Sequence, residues 1–162
     1  MFKLQHKITP FLWYDYQASD AAVHYLRLFG NGRIVHTQRW SEGTPCPAGS
    51  IMAVGFELHG QPLIAFNGGP HSKLNETASL FVQCDDQAEV DKPWHGLIAD
   101  GGAASRCGWL KDRYGLCWQI VPKAHMQMMS DGDSARVARV VQAMMTMSNF
   151  DIAPLQRAYD GA

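Results

Sequence analysis

The order of predicted elements repeats along the chain, and this repeat restricts the fold more than any other feature of the sequence. Strand-like and helix-like spacing of apolar residues alternate in the order β-α-β-β-β over the first 70 residues. Ser19 or Asp20 is expected to cap the helix, and Gly30 is expected to end it. The elements predicted for this first module are a strand over 8–14, a helix over 20–29, and strands over 33–40, 51–58 and 62–66.

The same order returns in the next part of the chain, although the residues themselves do not repeat. Asp85 or Asp86 is expected to cap the second helix, which contains Pro93 and runs to about Ala99. The strands predicted for this second module cover 79–84, 103–107, 109–113 and 116–121. The pattern therefore predicts an α+β fold, in which two β-α-β-β-β modules form a mixed, cleft-enclosing sheet.

In a third region, from 123 to 162, apolar residues recur at the spacing of a helix. Its apolar residues share one helix face, and Asp151 is expected to cap a last short helix. The methionine-rich stretch from Met126 to Met147 is either a soft ligand surface or, as we favour, a helix packed on the sheet or on another subunit. The predicted organisation is a first module over 1–70, a second over 71–122 and a helical extension over 123–162, in one structural domain. The apolar helix face of this extension consists of Val137, Val140, Val141, Met144 and Met145.

Composition excludes several classes of partner. Fourteen Lys and Arg residues stand against fifteen Asp and Glu residues, so no basic surface for nucleic acid or for an anionic membrane is expected. No apolar run approaches the roughly 20 residues of a membrane helix, and the start has no apolar core of a signal peptide. We therefore expect a cytoplasmic protein with reduced cysteines. None forms a C-x-x-C pair, and Cys84 and Cys117 are interpreted as buried small apolar residues.

Three segments carry a family resemblance. They are FNGGP at 66–70, FVQCDDQAEVD at 81–91 and CGWLKDRYGLCWQIVP at 107–122, and the tail adds AMMTM at 143–147 and DIA at 151–153. Together with the element order, they resemble the PhnB-like branch of the vicinal-oxygen-chelate superfamily, which includes glyoxalases and bleomycin-resistance proteins. Members of this branch often carry the label 3-demethylubiquinone-9 3-methyltransferase. A methyltransferase usually needs a glycine-rich loop between a strand and a helix, whereas residues 67–70 are interpreted as a turn.

The resemblance also implies where a metal would bind. In metal-using relatives each module gives two ligands, usually His or Glu, from its first and last strands. These positions fall near Pro10 and Asn67 in the first module, and at Ser79 and Gln119 in the second. Neutral amides and a hydroxyl are weak ligands for transition metals, and proline has no ligating side chain. We therefore expect neither a metal nor another cofactor.

Strand alternation predicts a pocket instead. Ser79, Phe81 and Gln83 share one face of their strand, as do Cys117, Gln119 and Val121 of another. A wall of apolar and aromatic side chains with a few neutral polar groups suits a small organic ligand. For Phe81 and Val121, plain core packing is an equally good interpretation. The candidate pocket residues are Leu12, Tyr14, His36, Asn67, Ser79, Phe81, Gln83, Cys117 and Gln119.

These features favour a homodimer that binds a small organic molecule without a metal, by resemblance to the antibiotic-sequestering members of the superfamily. The alternative is a lyase or isomerase that uses polar residues such as Gln119, Gln83 or His36. No nucleophile elbow and no spaced acid-base pair stands out in the sequence. The methyltransferase activity of the family label ranks third.

Overall fold

The computed structural model describes residues 6–162, and the chain divides between Leu74 and Asn75 into two compact units. Residues 1–5, on which part of the signal-peptide prediction rests, lie outside the described residues. The α+β class and the repeated β-α-β-β-β order are confirmed, and each module forms its own four-stranded mixed sheet.

The first unit contains the first predicted module. Its elements are β1 (Phe11–Tyr14), α1 (Ala18–Phe29), β2 (Gly32–Arg39), β3 (Ile51–Leu58) and β4 (Gln61–Asn67). The sheet order is β1-β4-β3-β2, with β1 parallel to β4 and the other two pairs antiparallel. The first strand of the module therefore lies beside its last strand.

Two boundaries of this unit differ from the prediction. β1 begins at Phe11 rather than at Ile8, which is 89% exposed and contributes no core side chain. The predicted cap of α1 at Ser19 or Asp20 is wrong, because both residues lie inside the first turn and the N-cap is Gln17. Gly30 ends the helix as predicted, in the left-handed conformation and with its N–H bonded to the Leu26 carbonyl.

The second unit repeats this topology. Its strands are β5 (Ser79–Cys84), β6 (Ala103–Ala104), β7 (Trp109–Lys111) and β8 (Cys117–Pro122), in the order β5-β8-β7-β6. Helix α2 (Gln87–Ile98) starts with a reciprocal capping box. Asp86 accepts a hydrogen bond from the N–H of Glu89, and Glu89 accepts one from the N–H of Asp85. Of the two predicted caps, Asp85 and Asp86, the structure therefore has Asp86 at the start of the helix.

β6 and β7 are shorter than predicted because turns interrupt them. Cys107 and Gly108 both have positive φ angles, and the N–H of Trp109 bonds to the Arg106 carbonyl, which ends the segment predicted as a strand to Cys107. Asp112 then begins the tight turn that leads into β8.

The C-terminal region belongs to the second unit. Helices α3 (Lys123–Met129), α4 (Ser134–Met144) and α5 (Ile152–Asp160) pack on one another, and Asp151 caps α5 as predicted. The segment before α5 bonds to the module through the carbonyls of Met147 and Ser148, which accept from the N–H groups of Cys107 and Gly108. The apolar face of α4 is only partly covered. Val140 is buried, whereas Met145 is 53% exposed.

Candidate functional site

Each sheet has one face covered by its own helix, and the first sheet shows this clearly. α1 packs on the face that presents Tyr14, whose hydroxyl shares a 3.3 Å hydrogen bond with the hydroxyl of Tyr25 in α1. Phe56 of β3 completes this layer, with its ring 6.3 Å from that of Tyr25. Leu12 and Tyr14 are buried, and strand alternation places both on this helix-covered face. The structure thus places these two pocket candidates in the core of the module, on the side opposite the open face.

The opposite, open face of the first sheet carries an aromatic cluster. Phe11 and Trp13 alternate with the buried residues of β1, and Phe66 lies beside them on the neighbouring strand. The ring of Phe66 is 5.4 Å from that of Phe11 and 5.2 Å from that of Trp13. Phe11 remains 57% exposed. The alternation in β1 was visible in the sequence, but it did not reveal which of its two faces the helix covers.

His36 of β2 also belongs to the open face. It pairs with Gly55 of β3, one position away from Val54, which is buried in the helix-covered layer. A register shift lies between Ile34 and His36, and it changes which residues of β2 point to each side. His36 is half-buried. The structure thus brings His36 to the same face as the aromatic cluster.

Asn67 ties the end of β4 to two other elements. Its Oδ1 atom accepts a 2.8 Å hydrogen bond from the N–H of Ala18, and its Nδ2 atom donates a 2.9 Å bond to the Ile51 carbonyl. The first bond takes the place of the missing side-chain cap of α1. Asn67 is only 6% exposed. Its amide is therefore committed to holding β3, β4 and α1 together.

The glycines of the FNGGP motif allow Trp13 to pack on the chain. A Cβ atom on Gly68 would lie 2.2 Å from Cε2 of the Trp13 indole, so any side chain there would collide with the ring. The indole Nε1 donates a 2.8 Å hydrogen bond to the Gly69 carbonyl, and Gly69 has a positive φ of 79°. This motif is therefore a structural turn that supports the aromatic cluster.

The open face of the second sheet carries the predicted polar residues. Gln119 donates a 2.8 Å hydrogen bond from Nε2 to the hydroxyl of Ser79, across β8 and β5. Phe81 is the register partner of Gln119, so both point to the same side, and Phe81 is 51% exposed. Gln83 follows two positions later on this side and is exposed. Ser79, Phe81, Gln83 and Gln119 therefore form one continuous surface, which we name the amide face.

Two cysteines of this unit, Cys84 and Cys117, are buried, and the pKa of each thiol is raised. Cys117 pairs with Ser79 but is only 2% exposed, and burial raises the pKa of its thiol. Burial also raises the pKa of Cys84 to about 12, and nearby carboxylates add to this effect. Both thiols stay protonated at neutral pH, which agrees with their interpretation as small buried side chains. Cys117 is the one buried member of the predicted second-module pocket.

The long motif at 107–122 is explained by a buried carboxylate. The Oδ1 atom of Asp112 accepts hydrogen bonds from the N–H groups of Tyr114 and Leu116, and its Oδ2 atom accepts one from the indole of Trp118 at 2.9 Å. These bonds hold the turn between β7 and β8 in place. The turn sets the register of β8 against β7, and so the position of Gln119. Sequence reasoning did not single out Asp112, although Asp112 and Gly115 stand at the first and fourth positions of a β-turn, where these residue types are favoured.

The donor set does not fit the metal implied by the superfamily. Asn67 uses both ends of its amide within the fold, and Gln119 and Ser79 are bonded to each other. Across residues 6–162 there is no group of three or more His, Cys, Asp or Glu residues placed to hold an ion. Neutral oxygen and amide groups do not replace the water shell of a transition metal well.

Within the same residues, every helix is too short or too polar to cross a lipid bilayer.

Comparisons with known proteins agree with this architecture. Residues 6–121 match the family described as 3-demethylubiquinone-9 3-methyltransferase. The PhnB protein from Bacillus cereus is 30% identical, with a TM-score of 0.66 over 72% of this chain and 99% of that chain. Protein PA1353 from Pseudomonas aeruginosa is 19% identical, with a TM-score of 0.60 over 73% of this chain and 98% of that chain.

A glyoxalase-related enzyme from Fulvimarina pelagi is 14% identical, with a TM-score of 0.46 over 73% of this chain and 89% of that chain. No curated protein sequence matches the chain. Three findings lead to one assignment: the repeated sheet order, the family match over residues 6–121 and the 30% identity to the Bacillus cereus protein. The chain belongs to the PhnB-like family, whose family description is 3-demethylubiquinone-9 3-methyltransferase.

Proposed function

We propose that this protein binds a small organic molecule on the amide face, without a metal ion. One observation supports the proposal above the others: an oriented neutral amide, Gln119, lies beside a half-exposed aromatic ring, Phe81. Binding sites for small molecules combine apolar surface with a few fixed polar groups, and this surface has both.

The hydrogen-bonding capacity of Gln119 supports this role. A primary amide has two N–H donors and a carbonyl that accepts two bonds. The bond to Ser79 uses one donor and fixes the orientation of the group. The remaining donor and the carbonyl suit a ligand that both accepts and donates, such as an amide, a lactam or a hydroxylated heterocycle. Gln83, on the same side of β5, extends the polar surface.

Phe81 supplies the apolar contact. An exposed aromatic ring in a strand offers its face to a flat ligand, and ring-on-ring packing contributes about 0.5–1.5 kcal/mol beyond burial. A planar organic molecule with one polar edge therefore fits the amide face best. Such a ligand needs no ion to anchor it, which is consistent with the weak donor set at the implied metal positions.

The activity in the family description has less support. S-adenosylmethionine binding commonly uses a glycine-rich loop that leads from a strand into a helix, and residues 67–70 do not lead into one. Gly68 and Gly69 are accounted for by the packing of Trp13. We therefore rank methyl transfer below ligand binding.

A lyase or isomerase activity is the second candidate, and the position of His36 favours it. His36 lies on the open face of the first sheet, beside Gly55. Histidine serves as a general acid or base in many enzymes. Conversion of a ligand by the wild-type protein, lost in His36→Gln, would support this candidate.

We also propose that the protein is a cytoplasmic homodimer. β2 is an edge strand of the first sheet, and it exposes Ile34 and Val35. Exposed apolar edge strands favour association with another sheet. Light scattering should report about twice the 18.0 kDa chain mass, and Val35→Lys should lower it more than Thr37→Lys on the same strand. A monomer at micromolar concentration would contradict the dimer.

A ligand screen tests the main proposal. Native mass spectrometry with a panel of neutral heterocyclic amides and phenols would detect bound mass, and re-extraction would show whether the compound is altered. We expect binding that survives dialysis against a chelator. Gln119→Leu should weaken it about tenfold, which corresponds to one net hydrogen bond of about 1.4 kcal/mol.

Gln127→Leu is the matched control, because Gln127 is an exposed residue of α3 and belongs to no strand of the amide face. Equal loss of affinity in the two variants, or dependence on a chelatable metal, would contradict the proposal. Recovery of a chemically changed compound would favour the enzymatic alternative.

A further inference from the structure

The first unit contains a cavity that the proposed function does not use. Its volume is about 300 Å³, and it lies between the connection from β1 to α1 and the loop that joins β2 to β3. It shares no lining residue with the amide face, since all its lining residues lie before Leu74. Six of these are Tyr16, Trp40, Cys46, Ser50, Ile51 and Asn67.

The loop that covers the cavity is held by its own hydrogen bonds. The N–H of Trp40 bonds to the Ser50 carbonyl at 2.9 Å, and the N–H of Gly49 bonds back to the Trp40 carbonyl at 2.8 Å. The guanidinium of Arg39 also bonds to the Gly49 carbonyl at 2.7 Å. These contacts close the base of the loop, so the space beneath it is built into the fold.

Asn67, whose amide lines the cavity, already makes hydrogen bonds within the fold. Asn67 uses both ends of its amide in bonds to Ala18 and Ile51. Beside it, Ile51 is apolar and Trp40 presents an aromatic ring. No charged side chain is among the residues that line this cavity. A charged ligand would therefore lose its hydration without gaining a partner, whereas a neutral and mostly apolar ligand would not.

Tyr16 supplies the polar group at the wall. Its φ of 61° is unusual for a bulky residue and directs the side chain across the loop, where its hydroxyl lies next to the thiol of Cys46. The neighbouring Cys46 raises the pKa of Tyr16, and some desolvation adds to the effect although the residue is 61% exposed. The phenol therefore stays protonated at neutral pH and remains a hydrogen-bond donor.

We propose that this cavity is a second binding site, which takes a neutral aromatic molecule of one or two rings that carries a hydrogen-bonding group. The volume lies at the lower end of the roughly 300–1,000 Å³ found for small-molecule sites, which limits the ligand to this size. Trp40 and Ile51 pack against the rings, and the hydroxyl of Tyr16 bonds to the polar group.

Cys46 reports occupancy of the site directly. The test uses phenol and toluene as probes, because they have nearly the same shape and differ in one hydroxyl. Iodoacetamide would label the protein, and peptide mass spectrometry would follow Cys46 and Cys107 separately. Cys107 is the internal control, because it is half-buried and lies in the second unit. We expect phenol to slow labelling of Cys46 at least threefold, in a saturable manner, with no change at Cys107.

Two variants separate the parts of the proposal. Ser50→Trp should fill the cavity and abolish protection by phenol, whereas Ser72→Trp, in an exposed loop, should not. Tyr16→Phe keeps the shape and removes the donor, so the advantage of phenol over toluene should shrink about tenfold in half-protecting concentration. If Ser50→Trp does not fold, Tyr16→Phe still decides the question.

The proposal is overturned if phenol protects neither cysteine, or if it protects Cys46 and Cys107 alike. Equal protection by phenol and toluene in the wild type would overturn the assigned role of Tyr16. Retained protection in a folded Ser50→Trp variant would show that the probe binds elsewhere.

Discussion

The imidazole of His125 lies against the ring of Phe150, with ring centroids 4.7 Å apart and planes inclined by 37°. Both ring nitrogens are buried, and among residues 6–162 neither has a hydrogen-bond partner. This contact joins the first turn of α3 to the segment before α5. Burial lowers the pKa of His125, since the charged imidazolium has no partner there.

Stability should therefore fall as the solution becomes more acidic. Below about pH 6.5, His125 in the unfolded chain binds a proton that the folded protein excludes, so protonation favours unfolding. His125→Leu should flatten the decline in melting temperature between pH 7.5 and pH 5.5, whereas His95→Gln, at an exposed position of α2, should not. Calorimetry at several pH values would measure this. An unchanged slope in His125→Leu would show that the group is not excluded from protonation.

Asn67→Leu should destabilise the first unit. The change removes two buried hydrogen bonds and leaves the N–H of Ala18 and the carbonyl of Ile51 without their partner. Each such loss costs about 1–3 kcal/mol, so we expect a drop of about 3 kcal/mol in the free energy of unfolding. Urea unfolding followed by circular dichroism would measure it, with Asn31→Leu at an exposed site as the control. Equal effects of the two substitutions would contradict the bridging role.

Gly68→Ala should also be destabilising, because the new methyl group would meet the indole of Trp13 at 2.2 Å. Overpacking of this kind costs about 1–3 kcal/mol. In a Trp13→Leu background the same change should cost much less, which a double-mutant cycle would show. Gly132→Ala is the control, since no atom lies within 4 Å of its added methyl group. A Gly68→Ala effect that persists without the indole would point to the backbone instead.

Asp112→Asn tests the carboxylate that fixes the turn before β8. An amide at this position can accept from Tyr114 and Leu116, but its N–H₂ group would face the indole N–H of Trp118. We expect a loss of about 1–3 kcal/mol, together with weaker ligand binding at Gln119 because the register of β8 loosens. Asp100→Asn, which affects only an exposed ion pair with Arg113, should change stability little. A neutral effect of Asp112→Asn would show that the turn does not depend on charge.

The sequence allowed the element order to be predicted because each helix and strand has its own apolar period. The caps were harder. An acidic cap at Asp85 or Asp86 was predicted for α2, and Asp86 makes the capping bond with the N–H of Glu89, three residues away. The bond that caps α1 comes instead from Asn67, 49 residues beyond Ala18. A cap of this kind depends on the tertiary fold, and no local pattern indicates it.

The site was predictable only in part for a similar reason. Alternation grouped Ser79 with Phe81 and Gln83 on one side of β5. The hydrogen bond from Gln119 to Ser79 shows that Gln119 of β8 lies on the same side of the sheet. Alternation did not show which face of β1 the helix covers: Leu12 and Tyr14 lie on the covered face, and Phe11 and Trp13 lie on the open face. The cavity beside Tyr16 rests on a positive φ and on a loop contact, neither of which has a clear sequence signal.

The bond between Asn67 and Ala18 has a consequence for the order in which the first unit is built. During synthesis, β1 and the start of α1 leave the ribosome before β4, yet β1 pairs within its sheet only with β4, and α1 receives its cap from the last residue of β4. Contacts of such long sequence separation form late and slow the search for the native state. We therefore expect the first unit to finish folding only after Asn67 has left the ribosome, while the second unit is still being translated.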